Sequence, residues 1–229
     1  MTDGLPLIVT RPEPGNAATV ERARAMGFDA RSMPLFTARA IDWRPPAPGD
    51  FDALLLTSAF AARLAGQGLA ELAALPVYAV GNATARAAEA AGLTVAMTGS
   101  SGAQRLLDDM TSDNIHNILW LCGRDRSEFD TRGAAITALP CYAVDPAPVP
   151  AEWDALIAAP ALLLAHSARA AERISQLVGD ARAHLSLVAI SPAVAASAGD
   201  SWRDLAIAEQ PDDVAILAQA RALWHKGEK

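Results

Sequence analysis

Small polar residues, glycines and arginines recur directly after short apolar runs of the type that form buried strands. In an open parallel sheet, ligands bind beyond the carboxyl ends of the strands. Helices that begin there present open backbone amides and a partial positive charge, which suit carboxylates or phosphates. The candidate substrate-binding residues are Thr10, Arg11, Thr57, Ser58, Ala59, Gly81, Asn82, Ala83, Thr84, Gly123, Arg124, Ser167, Ala168, Ser191 and Pro192.

For any one of these residues, a helix cap with no part in ligand binding is the simpler explanation. The set as a whole favours a stronger interpretation. If two domains each carry such residues, together they would form a cleft for a large anion.

Tyr142 is the candidate catalytic residue, because it lies in a stretch that is expected to cross between two domains. A phenol placed there could donate a proton to a leaving group. An aromatic side chain that only packs on the crossing strands is an equally good explanation from its position alone.

Other signatures of chemistry are missing. The chain has no GxGxxG motif, no phosphate loop, and no CxxC or HExxH pattern for a metal. His166 precedes Ser167, but neighbours in sequence rarely form a nucleophile pair and no G-x-S-x-G elbow is present. Cys122 and Cys141 lie in apolar surroundings and are expected to be reduced core thiols. We therefore expect no metal site.

The elements that must position these residues occur twice. The run at 54–63 resembles the run at 162–171, and in each case a second strand–helix unit follows at nearly the same spacing, beginning at Val77 and at Leu187. Glycines at 92 and 199 end the helices of these second units. We expect Asn16 and Asn82 to be helix N-caps. Strand–turn–helix units in series indicate a parallel α/β sheet, and their repetition indicates two similar halves.

Proline-rich stretches at 36–49 and 140–150 divide the chain. Four strands, each followed by a helix, are predicted between them, at 53–57, 77–80, 94–98 and 118–122. Only three are predicted after residue 150, at 162–165, 187–190 and 205–208. The strands that complete this second sheet are those of the first 35 residues.

The predicted fold class is therefore α/β, with two similar parallel-sheet, flavodoxin-like domains joined by a two-stranded linker. The first domain is discontinuous and comprises 1–36 and 147–229. The second domain, 42–140, is inserted, and the linker comprises 37–41 and 141–146.

Composition narrows the class of partner. The 229 residues carry a formal net charge of −7, which argues against nucleic acid as a partner but not against a small anion held by local arginines. No apolar run approaches the roughly 20 residues of a membrane span. The N-terminal residues lack the pattern of an export signal. We expect a cytoplasmic protein that does not contact membranes.

Several segments together resemble the uroporphyrinogen-III synthase family: Val-Thr-Arg-Pro at 9–12, Pro-Leu-Phe at 34–36, Leu-Thr-Ser at 56–58, Val-Gly-Asn-Ala-Thr-Ala at 80–85, and the crossing that contains Tyr142. The stretch at 80–85 is the most specific of them. The resemblance covers nearly the whole chain.

The resemblance implies a cofactor-free lyase of tetrapyrrole and haem biosynthesis, with two α/β domains of which the first is split in sequence. Its substrate is hydroxymethylbilane, a linear tetrapyrrole with eight carboxylates. Loss of water gives an azafulvene, a spiro intermediate forms and fragments, and the terminal D pyrrole ring is rebuilt inverted in uroporphyrinogen III. By the resemblance, Tyr142 assists loss of the hydroxyl, and Thr84, Ser58 and Ser167 line the substrate site. We expect a monomer, and a transient contact with hydroxymethylbilane synthase remains open.

Two alternatives remain from the residues alone. A non-catalytic, two-lobed cytoplasmic binder of an anionic ligand would keep the binding residues and make no use of Tyr142. A synthase-like domain without activity could instead serve as a partner in a larger assembly.

Overall fold

A computed structural model describes residues 5–99, 102–126 and 129–226, with side chains up to residue 224. The chain divides into two compact units. The terminal unit contains the chain up to Thr37 and again from Pro146, and the central unit is Ala38–Asp145.

Strands and helices alternate along most of the chain. The strands are β1 (Leu7–Val9), β2 (Ala30–Ser32), β3 (Phe36–Ala40), β4 (Ala53–Leu56), β5 (Val77–Val80), β6 (Val95–Gly99), β7 (Asn117–Gly123), β8 (Ala135–Pro146), β9 (Leu162–Ala165), β10 (Ser186–Ala189) and β11 (Asp204–Ile207). The helices are α1 (Gly15–Ala25), α2 (Ala59–Leu64), α3 (Asn82–Ala90), α4 (Ala103–Ser112), α5 (Trp153–Ile157), α6 (Ala168–Val178), α7 (Pro192–Ala198) and α8 (Asp213–Lys226). None of the helices within the described residues is both long enough and apolar enough to cross a membrane.

The terminal unit is built on a five-stranded sheet with the order β11-β10-β9-β1-β2. Its neighbouring strands pair in parallel, with Leu7 opposite both Ala30 and Leu162. Strands β1, β9 and β10 are completely buried, as expected for continuous apolar runs in a parallel sheet. Helices α1 and α8 cover one face of the sheet, where Val20 and Ile216 join a common core.

The central unit is built on a six-stranded sheet with the order β3-β8-β7-β4-β5-β6. Side chains of β4 alternate between the two faces: Leu54 and Leu56 pack with α2 and α3, whereas Ala53 and Leu55 pack with α4. This period of two places a separate apolar core on each side of the sheet. The fold class is therefore α/β with two sheets of mainly parallel strands, as predicted.

The repeat in the sequence corresponds to a repeat in the structure. Strands β4, β5 and β6 lie side by side in that order, and so do β9, β10 and β11. The helices that follow β4 and β9 begin in the same way: the hydroxyl of Ser58 accepts from the amide of Phe60, and that of Ser167 accepts from the amide of Ala170. The resemblance between the two segments therefore reflects one local design used twice.

Strand β8 was missed in part. The prediction began an extended crossing at residue 140, but β8 begins at Ala135 and pairs in parallel with β7 from Asn117 onward. Pro140 lies inside the strand opposite Cys122, directly before a shift in register. Proline cannot donate to the ladder, and such irregularities are where it is tolerated. The helix that was expected after 118–122 is also wrong, because none of residues 124–126 and 129–134 is helical.

Two predicted helix caps are wrong as well. Asn82 is the first residue of α3, and the preceding Gly81, with a φ of 80°, occupies the cap position. Asn16 lies within α1 and is buried; its amide donates to the carbonyls of Val9 and Arg11. The asparagine that looked like a helix start instead joins α1 to the end of β1.

Candidate active site

In the central unit, the predicted site residues lie within or after four strands that are adjacent in the sheet. The order β8-β7-β4-β5 places them along one edge, which we call the carboxyl edge because the parallel strands end there. This edge carries Tyr142 in β8, Gly123 and Arg124 at the end of β7, Thr57, Ser58 and Ala59 after β4, and Gly81, Asn82, Ala83 and Thr84 after β5.

Tyr142 makes direct contacts with two other predicted residues. Its phenol lies beside Ser58, the residue that caps α2. Its ring lies against Gly123, where an added Cβ would be 3.0 Å from Cζ and 3.1 Å from the phenol oxygen. The ring of Phe60 completes the enclosure, with 5.7 Å between ring centroids. Tyr142, which lies in β8, is therefore held between the end of β7 and the start of α2.

Burial raises the pKa of the Tyr142 phenol above its usual value, and the neighbouring Ser58 opposes that rise only in part. Removing the phenolate from water is the main cause. The phenol is therefore protonated at neutral pH, which is the state required of a proton donor.

Along the same edge, the hydroxyl of Thr57 accepts a hydrogen bond of 3.1 Å from the indole of Trp120. Thr84 is buried within α3, whereas Asn82 and Ala83 are exposed. Gly81 needs its positive φ, and a Cβ there would meet no atom within 4 Å. The start of α3 therefore presents exposed residues and open backbone rather than a filled core.

Arg124 is exposed and paired with two carboxylates. It lies 2.9 Å from Asp125 and 2.7 Å from Asp145, and these partners raise the pKa of its guanidinium. Asp145 also binds Arg39 at 2.8 Å, and the two arginines lower the pKa of its carboxyl. An incoming carboxylate would compete with Asp125 and Asp145 for Arg124.

In the terminal unit, the predicted residues follow three adjacent strands, β10, β9 and β1. Ser191 and Ser167 cap α7 and α6 with their hydroxyls, and Pro192 and Ala168 are the first residues of those helices. Thr10 is completely buried, and its hydroxyl donates to the carbonyl of Leu164 at 3.0 Å. Thr10 therefore joins β1 to β9, and its hydroxyl is not presented at the surface.

Arg11 binds Asp213, a residue that the sequence did not single out. The carboxylate of Asp213 also receives the hydroxyl of Thr19 at 2.7 Å, the guanidinium of Arg22, and the Nε2 of His166 at 3.2 Å. We call these five residues the Asp213 cluster. The partners of Asp213 are separated from it by 47 to 202 positions, so no local pattern could reveal them.

His166 has an unusual environment within this cluster. Burial, and secondarily the charge of Arg11, lower the pKa of its imidazole to about 3. The carboxylate of Asp213 favours the charged imidazolium, but that carboxylate is already bound by two guanidiniums. His166 is therefore neutral at pH 7, and the contact with Asp213 requires its proton on Nε2.

Among the described residues, no group of three or more His, Cys, Asp or Glu side chains is arranged to hold a metal ion. Cys122 and Cys141 are buried and unpaired, and they belong to the cores on opposite faces of the central sheet.

Comparisons with known proteins agree with this architecture. The family model described as uroporphyrinogen-III synthase HemD matches residues 17–218. The structure resembles the crystal structure of uroporphyrinogen-III synthetase from Helicobacter pylori, with a TM-score of 0.67 and 16% identity over 96% of this chain and 99% of that chain. It also resembles a mutant uroporphyrinogen III synthase from Thermus thermophilus, with a TM-score of 0.54 and 15% identity over 96% of this chain and 98% of that chain.

At these identities the two structures establish a shared fold. No curated protein matches the sequence at a significant level. The family model spans most of the chain, from within α1 to within α8. The chain belongs to the uroporphyrinogen-III synthase family.

Proposed function

We propose that this chain closes hydroxymethylbilane to uroporphyrinogen III, with loss of water and inversion of the terminal D pyrrole ring, and that Tyr142 donates the proton that the leaving hydroxyl requires. The family match supports the reaction. The role of Tyr142 rests on one observation: its protonated phenol lies at the carboxyl edge, against Gly123 and beside Ser58.

The first step needs an acid because hydroxide is a poor leaving group. The phenol of Tyr142 protonates the hydroxymethyl oxygen, the carbon–oxygen bond breaks, and water leaves. The pyrrole nitrogen of the ring that carried the hydroxymethyl group loses its proton to solvent, and that ring becomes an azafulvene. Ser58 lies beside the phenol, and its hydroxyl would stabilise the phenolate that the transfer leaves behind.

In each unit, the residues that follow the carboxyl ends of the strands bind carboxylates of the substrate. Ser58, Ser167 and Ser191 each begin a helix there, and helix N-termini attract anions. Gly81 lets the chain turn directly into α3 without a side chain in the way. Binding of this kind fixes the conformation of the substrate without a reactive side chain for each step.

Such positioning matters because hydroxymethylbilane also cyclises unaided, to the isomer without ring inversion. The protein must hold the terminal D ring so that its substituted carbon forms a bond to the azafulvene methylene, which gives the spiro intermediate that then fragments. A binding surface of amides and a single proton donor is consistent with that requirement.

We further propose that the chain works as a cytoplasmic monomer and receives its substrate in a transient contact with hydroxymethylbilane synthase. Light scattering after size-exclusion chromatography tests the first part, with a mass near 23.9 kDa expected. A mass of twice that value at micromolar concentration would contradict it. Cross-linking during turnover with the synthase tests the contact, and equal cross-linking to an unrelated protein would argue against it.

The role of Tyr142 is tested by replacing it with phenylalanine and measuring single-turnover rates. We expect Tyr142→Phe to slow formation of uroporphyrinogen III by about a hundredfold, the lower range for loss of a general acid. Product affinity should stay within about twofold. The matched control is Tyr78→Phe, because Tyr78 is the only other tyrosine and packs on the opposite face of the central sheet.

If Tyr142→Phe and Tyr78→Phe both turn over at the wild-type rate, the phenol of Tyr142 is not the proton donor. The assignment of the reaction would stand, and another group or a bound water would have to supply the proton.

A further inference from the structure

The Asp213 cluster brings together side chains from four parts of the terminal unit. Asp213 begins α8, Arg11 follows β1, Thr19 and Arg22 lie on α1, and His166 follows β9. The two carboxylate oxygens of Asp213 are divided between the arginines: Oδ1 faces Arg11 and Oδ2 faces Arg22. One carboxylate therefore fixes two guanidiniums beside each other.

The backbone of α1 is shaped to accept this arrangement. The guanidinium of Arg11 lies across Gly15, where an added Cβ would be 2.6 Å from Nε and 2.8 Å from Cζ. Thr19 and Arg22 are three positions apart and share one face of α1. Any residue larger than glycine at position 15 would push Arg11 away from Asp213.

Burial differs within the cluster. The side chains of His166 and Asp213 are 7% and 18% exposed, whereas those of Arg11 and Arg22 are 33% and 45% exposed. The anion and the neutral histidine therefore form the base of the cluster. The two cations extend from it towards solvent, close to the carboxyl end of β1.

We infer that Asp213 is a positioning residue for the substrate: it holds Arg11 and Arg22 together so that both guanidiniums can bind carboxylates of the linear tetrapyrrole. This inference rests on the proposed function, since it takes a polycarboxylate as the ligand. Without Asp213, two like charges on long side chains repel and sample many rotamers. Each guanidinium must then be ordered when the substrate binds.

The first test is Asp213→Asn, which keeps the shape of the side chain and removes its charge. We expect KM for hydroxymethylbilane to rise about tenfold, as expected when two rotamer-rich side chains lose their preorganisation. We expect kcat to stay within about twofold, because Asp213 is assigned to substrate binding and not to proton transfer. Asp213→Glu should restore most of the affinity, since it restores the carboxylate.

Two comparisons separate positioning from a general loss of stability. Asp29→Asn is the matched control, because Asp29 forms one exposed ion pair with Arg31 in the same unit, before β2 rather than after a strand. Adding Arg22→Ala to Asp213→Asn should raise KM far less than the product of the two single effects, because both changes remove the same arrangement. Full additivity, or an unchanged KM in Asp213→Asn, would overturn the inference.

A binding measurement keeps the inference separate from the proposed reaction. Tryptophan fluorescence titrated with uroporphyrinogen III under anaerobic conditions should show an affinity about tenfold weaker for Asp213→Asn than for wild type. If wild type binds the product but makes no uroporphyrinogen III, the proposed reaction fails and this difference still tests the cluster. If wild type makes uroporphyrinogen III and Asp213→Asn binds the product as tightly as wild type does, the inference alone fails.

Discussion

Adding a single methyl group at Gly123 tests whether Tyr142 is held as tightly as its contacts indicate. In Gly123→Ala, the new Cβ would lie 3.0 Å from Cζ, 3.1 Å from Cε2 and 3.1 Å from the phenol oxygen of Tyr142. The ring cannot simply turn away, because Phe60 packs against it and Tyr142 is buried. The methyl and the ring must therefore separate at the expense of the β7–β8 pairing or of the Phe60 contact.

The size of the effect follows from these distances. Optimal contacts between carbon atoms are about 3.5–4.0 Å, so the ring must move by about half an ångström. Overpacking of this kind in a close-packed interior destabilises a protein by about 1–3 kcal/mol. The same movement displaces the phenol from its position, and we expect turnover to fall about tenfold.

Urea unfolding followed by tryptophan fluorescence measures the free energy of unfolding, and the single-turnover assay measures the rate. Gly49→Ala is the control, because Gly49 is exposed, has an ordinary backbone conformation, and would present its Cβ to open space. If Gly123→Ala has the same free energy of unfolding and the same single-turnover rate as Gly49→Ala, close packing against Gly123 does not hold Tyr142 in place. If Gly123→Ala unfolds more easily but reacts at the wild-type rate, the position of the phenol does not limit the reaction.

Two further predictions concern the terminal unit. In the folded protein, His166 is neutral and has a pKa of about 3, whereas an unfolded histidine titrates near 6.5. Below pH 6.5 the unfolded state therefore binds more protons than the folded state. Through this residue, wild type should lose about 3 kcal/mol of its free energy of unfolding between pH 7 and pH 4.5. In His166→Gln, the loss of free energy of unfolding between the two pH values should be smaller than in wild type by that amount, as measured by urea unfolding. Equal losses in the two proteins would contradict a buried neutral histidine. Thr10→Val should cost about 1 kcal/mol, because it removes the buried hydrogen bond to Leu164 while keeping the shape of the side chain, and thermal unfolding that does not change would show that this bond contributes nothing.

The sequence was sufficient for the strands that are buried on both faces. The runs at 77–80 and 162–165 match β5 and β9 in full, because a short apolar run bounded by proline, glycine or a hydroxyl residue leaves few other structures. Serine caps were equally readable, since Ser191 bonds the first turn of its own helix. These features depend on a few neighbouring residues.

Features that depend on distant residues were not readable. Asn16 has the composition of a cap, but its amide bonds the end of β1 and its carbonyl oxygen accepts from Ser32, so tertiary contacts decide its role. Pro140 suggested the start of a linker, yet the register shift beside it keeps it within β8. No local sequence pattern pointed to Asp213, because its four partners come from other parts of the chain.

For the predicted site residues, too, the sequence indicated their positions along the chain but not the distant partners of their side chains. Their positions at strand ends followed from the strand prediction, and the structure places Ser58 and Gly123 in contact with Tyr142. The strand prediction did not show which hydroxyls are available to a ligand. The hydroxyl of Thr10 forms a buried hydrogen bond in the core, and that of Thr57 accepts a hydrogen bond from Trp120. Strand ends can be located from hydrophobic patterning, but the partners of the side chains there require the packed structure.

The most direct test of the central claim is the identity of the product isomer. Hydroxymethylbilane is generated in place, the wild-type chain is added, and the products are oxidised and separated as uroporphyrin I and uroporphyrin III. We expect a change from mostly isomer I without the protein to mostly isomer III with it. Isomer I formed at the unassisted rate in the presence of the folded protein would contradict the proposed reaction, and tight binding of uroporphyrinogen III in that case would indicate a non-catalytic binder.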